Sequence, residues 1–150
     1  MNEPFLIQEI LATCKTIAVV GLSNREDRAS HGVSRFMQSR GYQIIPVNPQ
    51  IESTLGEKAY PTLRAACAAV PDIRLVNVFR APEYISDIVE EAIQLRVPYL
   101  WLQEGVVDLA AALRAEAAGI GVVMDRCILK ERMAAGWGLA VQADAASPPN

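Results

Sequence analysis

Residues 16–30 of the chain read TIAVVGLSNREDRAS, a short apolar run followed at once by a glycine and a polar loop. The run is rich in Val and Ile and too short for a helix, which is typical of a buried strand. Four similar runs follow, at residues 43–47, 73–79, 97–102 and 120–124. Near-continuous apolar runs separated by helical segments predict an α/β fold, a doubly wound parallel sheet of about five strands with helices on both faces.

Helices are predicted around and between these runs. Residues 4–13 carry apolar side chains at helical spacing after Pro4, and Ser30 is expected to cap a helix that ends at Gly41. A helix from Pro82 is expected to carry Glu83 in its first turn and Arg96 in its last. Further helices are expected at 61–69, at 108–118 and from about residue 125, with an irregular connection at 54–60. We expect one domain at 1–142, followed by a disordered tail at 143–150.

Composition and charge narrow the function classes. The chain's 150 residues fit one domain that buries its own core, and 14 basic against 17 acidic side chains give a net charge of -3. Because no cluster of Lys and Arg forms a stripe, nucleic acid is not an expected partner. A targeting signal begins with basic residues and continues with an apolar stretch, whereas the N-terminal residues here include Glu3 and Glu9. No later segment is apolar for long enough to span a bilayer. We expect a soluble cytoplasmic protein without membrane contact.

The cysteines and the single histidine do not form a recognisable catalytic or metal site. The chain has three cysteines, Cys14, Cys67 and Cys127. Because their number is odd, their spacing is wide and no C-x-x-C motif is present, we expect reduced thiols. Cys127 lies near the predicted start of the last helix, where a thiol can be reactive, although most unpaired cysteines are simply buried. Around His31, no nucleophile–base set or metal cluster follows from the spacing. The sequence identifies no catalytic residue and no metal ligand.

The loop after the first run is the first candidate binding segment, because ligands of doubly wound sheets bind beyond the carboxyl ends of the strands. Of the G-x-G-x-x-G pattern that binds a dinucleotide, only Gly21 is present. The loop instead offers hydroxyl and guanidinium donors that suit phosphate oxygens, namely Ser23, Arg25, Arg28 and Ser30. The alternative is that Arg25 and Arg28 are solvated charges paired with Glu26 and Asp27.

The ends of the later runs supply further candidates at the same edge. Residues 46–49 read PVNP and offer no carboxylate where an NAD enzyme binds the ribose, which favours a ribose that carries a phosphate, as in NADP or coenzyme A. The alternative is that the two prolines merely turn the chain. Arg80 and Gln103 end the third and fourth runs as polar candidates, whereas Phe79 and Trp101 are more typical of a core.

Several motifs, in order along the chain, resemble one family, the small CoA-binding proteins of bacteria. They are GLS at 21–23 with R-x-S at 28–30, GY at 41–42 leading to PVNP at 46–49, FR at 79–80, WLQEG at 101–105 and VMDRC at 123–127. The resemblance runs from about residue 13 to residue 134. It implies a Rossmann-like CoA-binding domain similar to the N-terminal domain of the succinyl-CoA synthetase alpha subunit.

The resemblance also implies a set of binding residues. The phosphates and adenosine of CoA would be held by Gly21, Ser23, Arg28, Ser30 and Val33. The nucleotide would be lined by Pro46, Val47 and Asn48, and the pantetheine path by Phe79, Arg80, Gln103 and Gly105. The family usually has proline where this chain has Glu26, which predicts a less rigid loop and weaker binding.

The function that the resemblance implies is binding of coenzyme A or an acyl-CoA by a stand-alone, non-catalytic module, such as a sensor, carrier or regulatory subunit. One alternative is an NADP-dependent oxidoreductase. Another is the CoA-binding subunit of a multi-chain acyl-CoA ligase or acyltransferase, which an ATP-grasp partner would accompany. The synthetase domain that carries a phosphorylated histidine has no counterpart in this sequence, so ligase activity is not implied. These motifs leave open the protein partner, the homo-oligomeric state and the choice between free CoA and acyl-CoA.

Overall fold

The computed structural model of the protein describes residues 1–136. Its central sheet consists of five parallel strands, β1 (Thr16–Val20), β2 (Gln43–Val47), β5 (Ile73–Val78), β6 (Tyr99–Leu102) and β7 (Gly121–Met124). Between β2 and β5 lies a two-stranded antiparallel hairpin of β3 (Ser53–Thr54) and β4 (Glu57–Lys58). The order β2-β1-β5-β6-β7 confirms the predicted doubly wound, Rossmann-like α/β fold.

Within residues 1–136, six α-helices cover the two faces of the sheet. One face is covered by α1 (Pro4–Thr13), α2 (Ala29–Ser39) and α6 (Ile128–Ala135), and the other by α3 (Leu63–Ala69), α4 (Ile85–Gln94) and α5 (Leu109–Ala117). Each layer buries one side of every strand. This two-sided burial explains why the strands read as near-continuous apolar runs rather than as alternating ones.

The strand order reverses between β1 and β5. From β1 the chain crosses to β2 on one side, and after the hairpin and α3 it returns to β5 on the other side of β1. The connections that leave the carboxyl ends of β1 and β5 therefore diverge, and a crevice opens between them. Gly21 follows β1 and Phe79 follows β5, so both lie at this reversal point.

The start of α2 differs from the prediction. Arg28, rather than Ser30, is the N-cap residue, and no side chain caps the helix. Ser30 lies in the first turn, where its hydroxyl oxygen accepts a hydrogen bond from the backbone N–H of Ser23 at 3.0 Å. The hydroxyl that was predicted to cap the helix closes the preceding loop instead.

The predicted helix from Pro82 to Arg96 is shorter. Residues Pro82–Tyr84 form a single 3-10 turn, which contains Glu83, and α4 begins at Ile85. Arg96 lies beyond the end of α4 with a φ of +57°, in the left-handed conformation that commonly ends a helix. Its side chain is therefore not in the last helical turn.

The connection after β2 is more regular than predicted. Residues 54–60 contain all of the β3–β4 hairpin except Ser53. Tyr60 then pairs with the outer edge of β2, where its N–H donates to the carbonyl of Pro46 at 2.9 Å. The helices predicted from residues 61 and 125 begin later, at Leu63 and Ile128. In α3 the reason is visible, because the Thr62 hydroxyl accepts the Ala65 N–H and fixes the start of the helix.

Two predictions fall on the end of the chain. The disordered tail at 143–150 and the last residues of the predicted 1–142 domain lie outside the described residues. Within residues 1–136, no helix is both long and apolar enough to span a bilayer.

Candidate functional site

Gly21 is the structural centre of the carboxyl edge of the sheet. Its backbone N–H donates to the carbonyl of Val47 at 2.9 Å, and its φ is +87°. A Cβ at this position would lie 2.4 Å from the carbonyl oxygen of Phe79 and 3.0 Å from Cδ of Arg80. Only glycine allows this conformation and this approach together. The resulting contact between Gly21 and Phe79–Arg80 is called the ridge below.

The loop after Gly21 is closed by its own hydroxyl groups. Besides the Ser23–Ser30 bond, the Ser23 hydroxyl accepts a hydrogen bond from the Arg25 backbone N–H at 3.0 Å. The Arg25 guanidinium forms an exposed ion pair with Asp27 at 2.9 Å. For Arg25, the alternative of a solvated charge paired within the loop therefore holds.

Arg28 differs from Arg25. It is exposed, and within residues 1–136 its guanidinium has neither a hydrogen bond nor an ion pair. It stands as the N-cap of the 11-residue helix α2, whose first backbone N–H groups have no side-chain cap. A free guanidinium beside an uncapped helix N-terminus is an arrangement that attracts an anion.

A cavity of about 230 Å³ lies on one side of the ridge and is called the first cavity here. Its apolar lining consists of Val20, Val47, Pro49, Pro61, Leu63 and Ile88, and its polar lining of Thr62, Arg80, Tyr84, Asp87 and Glu91. The Arg80 guanidinium lies over the ring of Tyr84, 4.0 Å from its centroid. The Glu91 carboxylate accepts a hydrogen bond from the Arg64 backbone N–H at 3.1 Å. The two carboxylates outnumber the single guanidinium of this cavity.

A second cavity, of about 300 Å³, lies on the other side of the ridge. It is lined by Ala29, Val33, Phe79, Gln103, Glu104, Val106 and Cys127. Gln103 is only 4% exposed, and its side-chain oxygen accepts the backbone N–H of Ile128 at 3.0 Å, which caps α6. Cys127 is the N-cap residue of the same helix. Gln103 thus joins the end of β6 to the start of α6.

The loops after β6 and β7 hold each other. The backbone N–H of Gly105 donates to the carboxylate of Asp125 at 2.9 Å, and the Glu104 carboxylate accepts from the Lys130 ammonium at 2.9 Å. The hydrogen bond and charge of Glu104 raise the pKa of Lys130. This ion pair neutralises the one carboxylate that lines the second cavity.

Pro46 and Asn48 hold the segments next to the site in place. Pro46 is buried within β2, and its carbonyl accepts the Tyr60 N–H. The Asn48 side-chain amide donates to the carbonyl of Leu22 at 3.0 Å, and its oxygen accepts the Gln50 N–H at 2.8 Å. Both polar groups of Asn48 are thereby engaged in fixing the loops after β1 and β2.

The structure brings about half of the predicted residues to the cavities. Val47 and Arg80 line the first cavity, Val33, Phe79 and Gln103 line the second, and Gly21 lies between them. The other predicted residues lie at the same edge without lining either cavity, namely Ser23, Arg28, Ser30, Pro46, Asn48 and Gly105. Trp101, predicted as core, is fully buried, and its indole N–H donates to the Arg126 carbonyl at 2.9 Å.

Sequence reasoning missed the contribution of α4 and of the turn before it. Tyr84, Asp87, Ile88 and Glu91 all line the first cavity. Their spacing of three and four residues places them on one face of a helix, and this face begins in the turn that connects β5 to α4. That periodicity next to a strand end was the available signal.

Comparisons with known proteins agree with the geometry. A family model described as a CoA binding domain matches residues 15–133. YneT of Bacillus subtilis, an uncharacterized protein, is 45% identical over 122 residues, which cover 81% of this chain and 88% of YneT. A hypothetical protein from Pyrococcus horikoshii has 33% identity and a TM-score of 0.80, over 88% of this chain and 91% of that one.

A more distant solved structure shares only the fold. The dinucleotide forming acetyl-coenzyme A synthetase 1 of Ca. Korarchaeum cryptofilum is 20% identical, with a TM-score of 0.65. The match covers 78% of this chain and 27% of the synthetase. The family match spans most of the chain, and it agrees with the family that the motifs predicted. The chain belongs to the CoA binding domain family.

Proposed function

We propose that this protein binds coenzyme A or an acyl-CoA as a stand-alone, non-catalytic module. The observation that carries the proposal is the pair of cavities on either side of the ridge, next to Arg28, whose guanidinium has no partner among residues 1–136. CoA is an extended molecule with a flat base, a charged phosphate region and a narrow uncharged arm. Two modest cavities with a cationic helix terminus beside them suit such a ligand better than one compact ligand.

The charge distribution supports one orientation of the ligand. Asp87 and Glu91 make the first cavity unfavourable for phosphate, so we assign to it the uncharged adenine, whose amino group can donate to a carboxylate. The phosphates then belong at Arg28 and the first N–H groups of α2. The pantetheine arm belongs in the second cavity, where Val33, Phe79 and Val106 offer apolar surface.

Titration calorimetry on nucleotide-free protein tests the proposal. CoA, 3'-dephospho-CoA, acetyl-CoA, NAD and NADP are titrated side by side under one salt concentration. Binding of CoA, with much weaker binding of dephospho-CoA, supports the proposal. Binding of NADP alone overturns it and favours the oxidoreductase alternative. A preference for acetyl-CoA over CoA, or the reverse, identifies the form that is carried.

The non-catalytic part of the proposal needs a separate test. Acetyl-CoA is incubated with the protein and the products are separated by chromatography. If acetyl-CoA is lost no faster than in a protein-free control, the result supports a carrier or sensor. Accelerated release of free CoA overturns that part, and co-purification with an ATP-grasp protein favours a ligase subunit.

A further inference from the structure

Cys127 lines the second cavity although it is a buried residue. It is 8% exposed, and it shares the cavity with the apolar side chains of Val33, Phe79 and Val106. The backbone carbonyl of Cys127 accepts the Glu131 N–H at 3.1 Å, so the residue is held at the start of α6. A thiol in this position is reached through the cavity rather than from the open surface.

Gln103 gives an independent indication that the second cavity takes a ligand. Its side-chain oxygen is engaged by Ile128, but within residues 1–136 its side-chain N–H groups have no partner. The side chain is more than nine-tenths buried and lines the cavity. The side-chain N–H groups are therefore available to a ligand in the cavity that offers an amide carbonyl. The pantetheine arm contains two such amides.

We propose that the second cavity takes the thiol end of CoA and that Cys127 forms a mixed disulfide with it. This inference rests on the proposed function. The co-reactant is the symmetric disulfide of CoA. The Cys127 sulfur attacks one sulfur of that disulfide, a new S–S bond forms, and the original S–S bond breaks. The departing CoA leaves as a thiolate and takes up the proton that Cys127 lost, so Cys127 is oxidised and one CoA sulfur is reduced.

The other two cysteines provide a comparison within the same molecule. Neither Cys14 nor Cys67 is among the residues that line the two cavities. Cys14 is fully buried, and burial raises the pKa of its thiol. Cys67 on α3 is partly exposed, and burial together with the charge of Glu91 raises the pKa of its thiol. Because Cys67 is more exposed than Cys127, a small neutral disulfide should not favour Cys127 over Cys67, whereas a ligand-directed reaction should.

The test is a peptide map by mass spectrometry of the reduced wild-type protein after reaction with CoA disulfide. We expect a CoA adduct on Cys127 that a reducing thiol removes. Its formation should be at least about tenfold faster than with 2-hydroxyethyl disulfide, because binding orients the reactants. Excess acetyl-CoA, whose thiol is acylated, should suppress the adduct by occupying the cavity. Modification of Cys67 should show no such preference.

Two variants assign the adduct to one thiol. Cys127→Ser should lose the adduct, and Cys67→Ser is the matched control that should keep both the adduct and CoA binding in the calorimeter. If wild-type protein binds CoA but Cys127 is unmodified, or if Cys67 reacts equally fast with CoA disulfide, the mixed disulfide is overturned while the proposed function stands. If wild-type protein binds neither CoA nor acetyl-CoA, both fail. The wild-type map gives an answer even if Cys127→Ser does not fold.

Discussion

At the scale of single residues, Gly21 joins β1, β2 and β5. It follows β1, donates to Val47 of β2 and packs against the Phe79 carbonyl after β5. Gly56 also has a positive φ, +75°, but a Cβ there would meet no atom within 4 Å. These two glycines separate the cost of the backbone conformation from the cost of a steric clash.

We expect Gly21→Ala to lower the free energy of unfolding by about 3 kcal/mol or more, because it adds a clash to an unfavourable backbone conformation. Gly56→Ala should cost about 1 to 2 kcal/mol, the conformational part alone. Urea unfolding of both variants measures the difference. Equal losses would show that the contact with Phe79 relaxes without cost.

Arg28 is the residue on which the phosphate assignment depends. We expect Arg28→Ala to weaken CoA binding by about 1.5 to 3 kcal/mol, with little change in Tm, because the lost contact is charge-assisted and lies at the surface. Arg35→Ala removes the same charge from an exposed position on the same helix and is the control. Calorimetry measures both affinities. Unchanged affinity in Arg28→Ala would show that Arg28 is a solvated loop charge that does not contact the phosphates.

At the scale of elements, a short hydrogen bond joins α1 to β6. The Tyr99 hydroxyl on β6 donates to the Glu9 carboxylate at 2.5 Å. This hydrogen bond, with burial and the charge of Glu9, raises the pKa of Tyr99 above its usual value of 10.0. The neutral phenol is thus favoured in the folded protein, and the contact stabilises α1 at neutral pH.

The sign of the resulting pH dependence follows from linkage. Since folding raises the pKa of Tyr99, its contribution is complete below pH 10.0 and is lost as the pH rises through the folded value. We expect Tm to fall with alkaline pH more steeply in the wild type than in Tyr99→Phe. Tyr84→Phe, at an exposed tyrosine, is the control and should keep the wild-type profile. Parallel curves for wild type and Tyr99→Phe would contradict the assignment.

At the scale of the whole molecule, the candidate site draws on segments that are distant in the chain. The loop after β1, the turn before α4 and the loop after β6 meet only at the carboxyl edge of the sheet. A ligand that spans both cavities therefore bridges the two layers of helices. Its binding should stabilise the domain as a unit.

We expect CoA at about a hundred times its Kd to raise the free energy of unfolding by about 2.7 kcal/mol. Hydrogen exchange should slow in segments of both cavities, near residues 29–33 and near 84–91. NAD at the same concentration is the control. Protection that is confined to one of the two segments would show that the ligand occupies a single cavity.

Local patterns were sufficient for the elements of the sheet and for the family. All five parallel strands were predicted within a residue or two, because strands buried on both faces must be short, apolar and rich in Val and Ile. Helix starts were less accurate. At Ser30 the hydroxyl had two candidate partners, the end of its own helix and the Ser23 N–H, and only the folded loop decides between them.

Local patterns along the chain were enough to predict the α/β class, the edge of the sheet that carries the candidate site, and the CoA-binding family. Only the folded structure shows that, within residues 1–136, Arg25 is paired while Arg28 is not. It also shows that Asn48 holds the loops and that Tyr84, Asp87 and Glu91 line the first cavity. The physical reason is how far apart along the chain the interacting residues lie. Burial and backbone conformation follow from neighbouring residues, whereas a charge's partner and a cavity's wall are set by segments that only the sheet brings together.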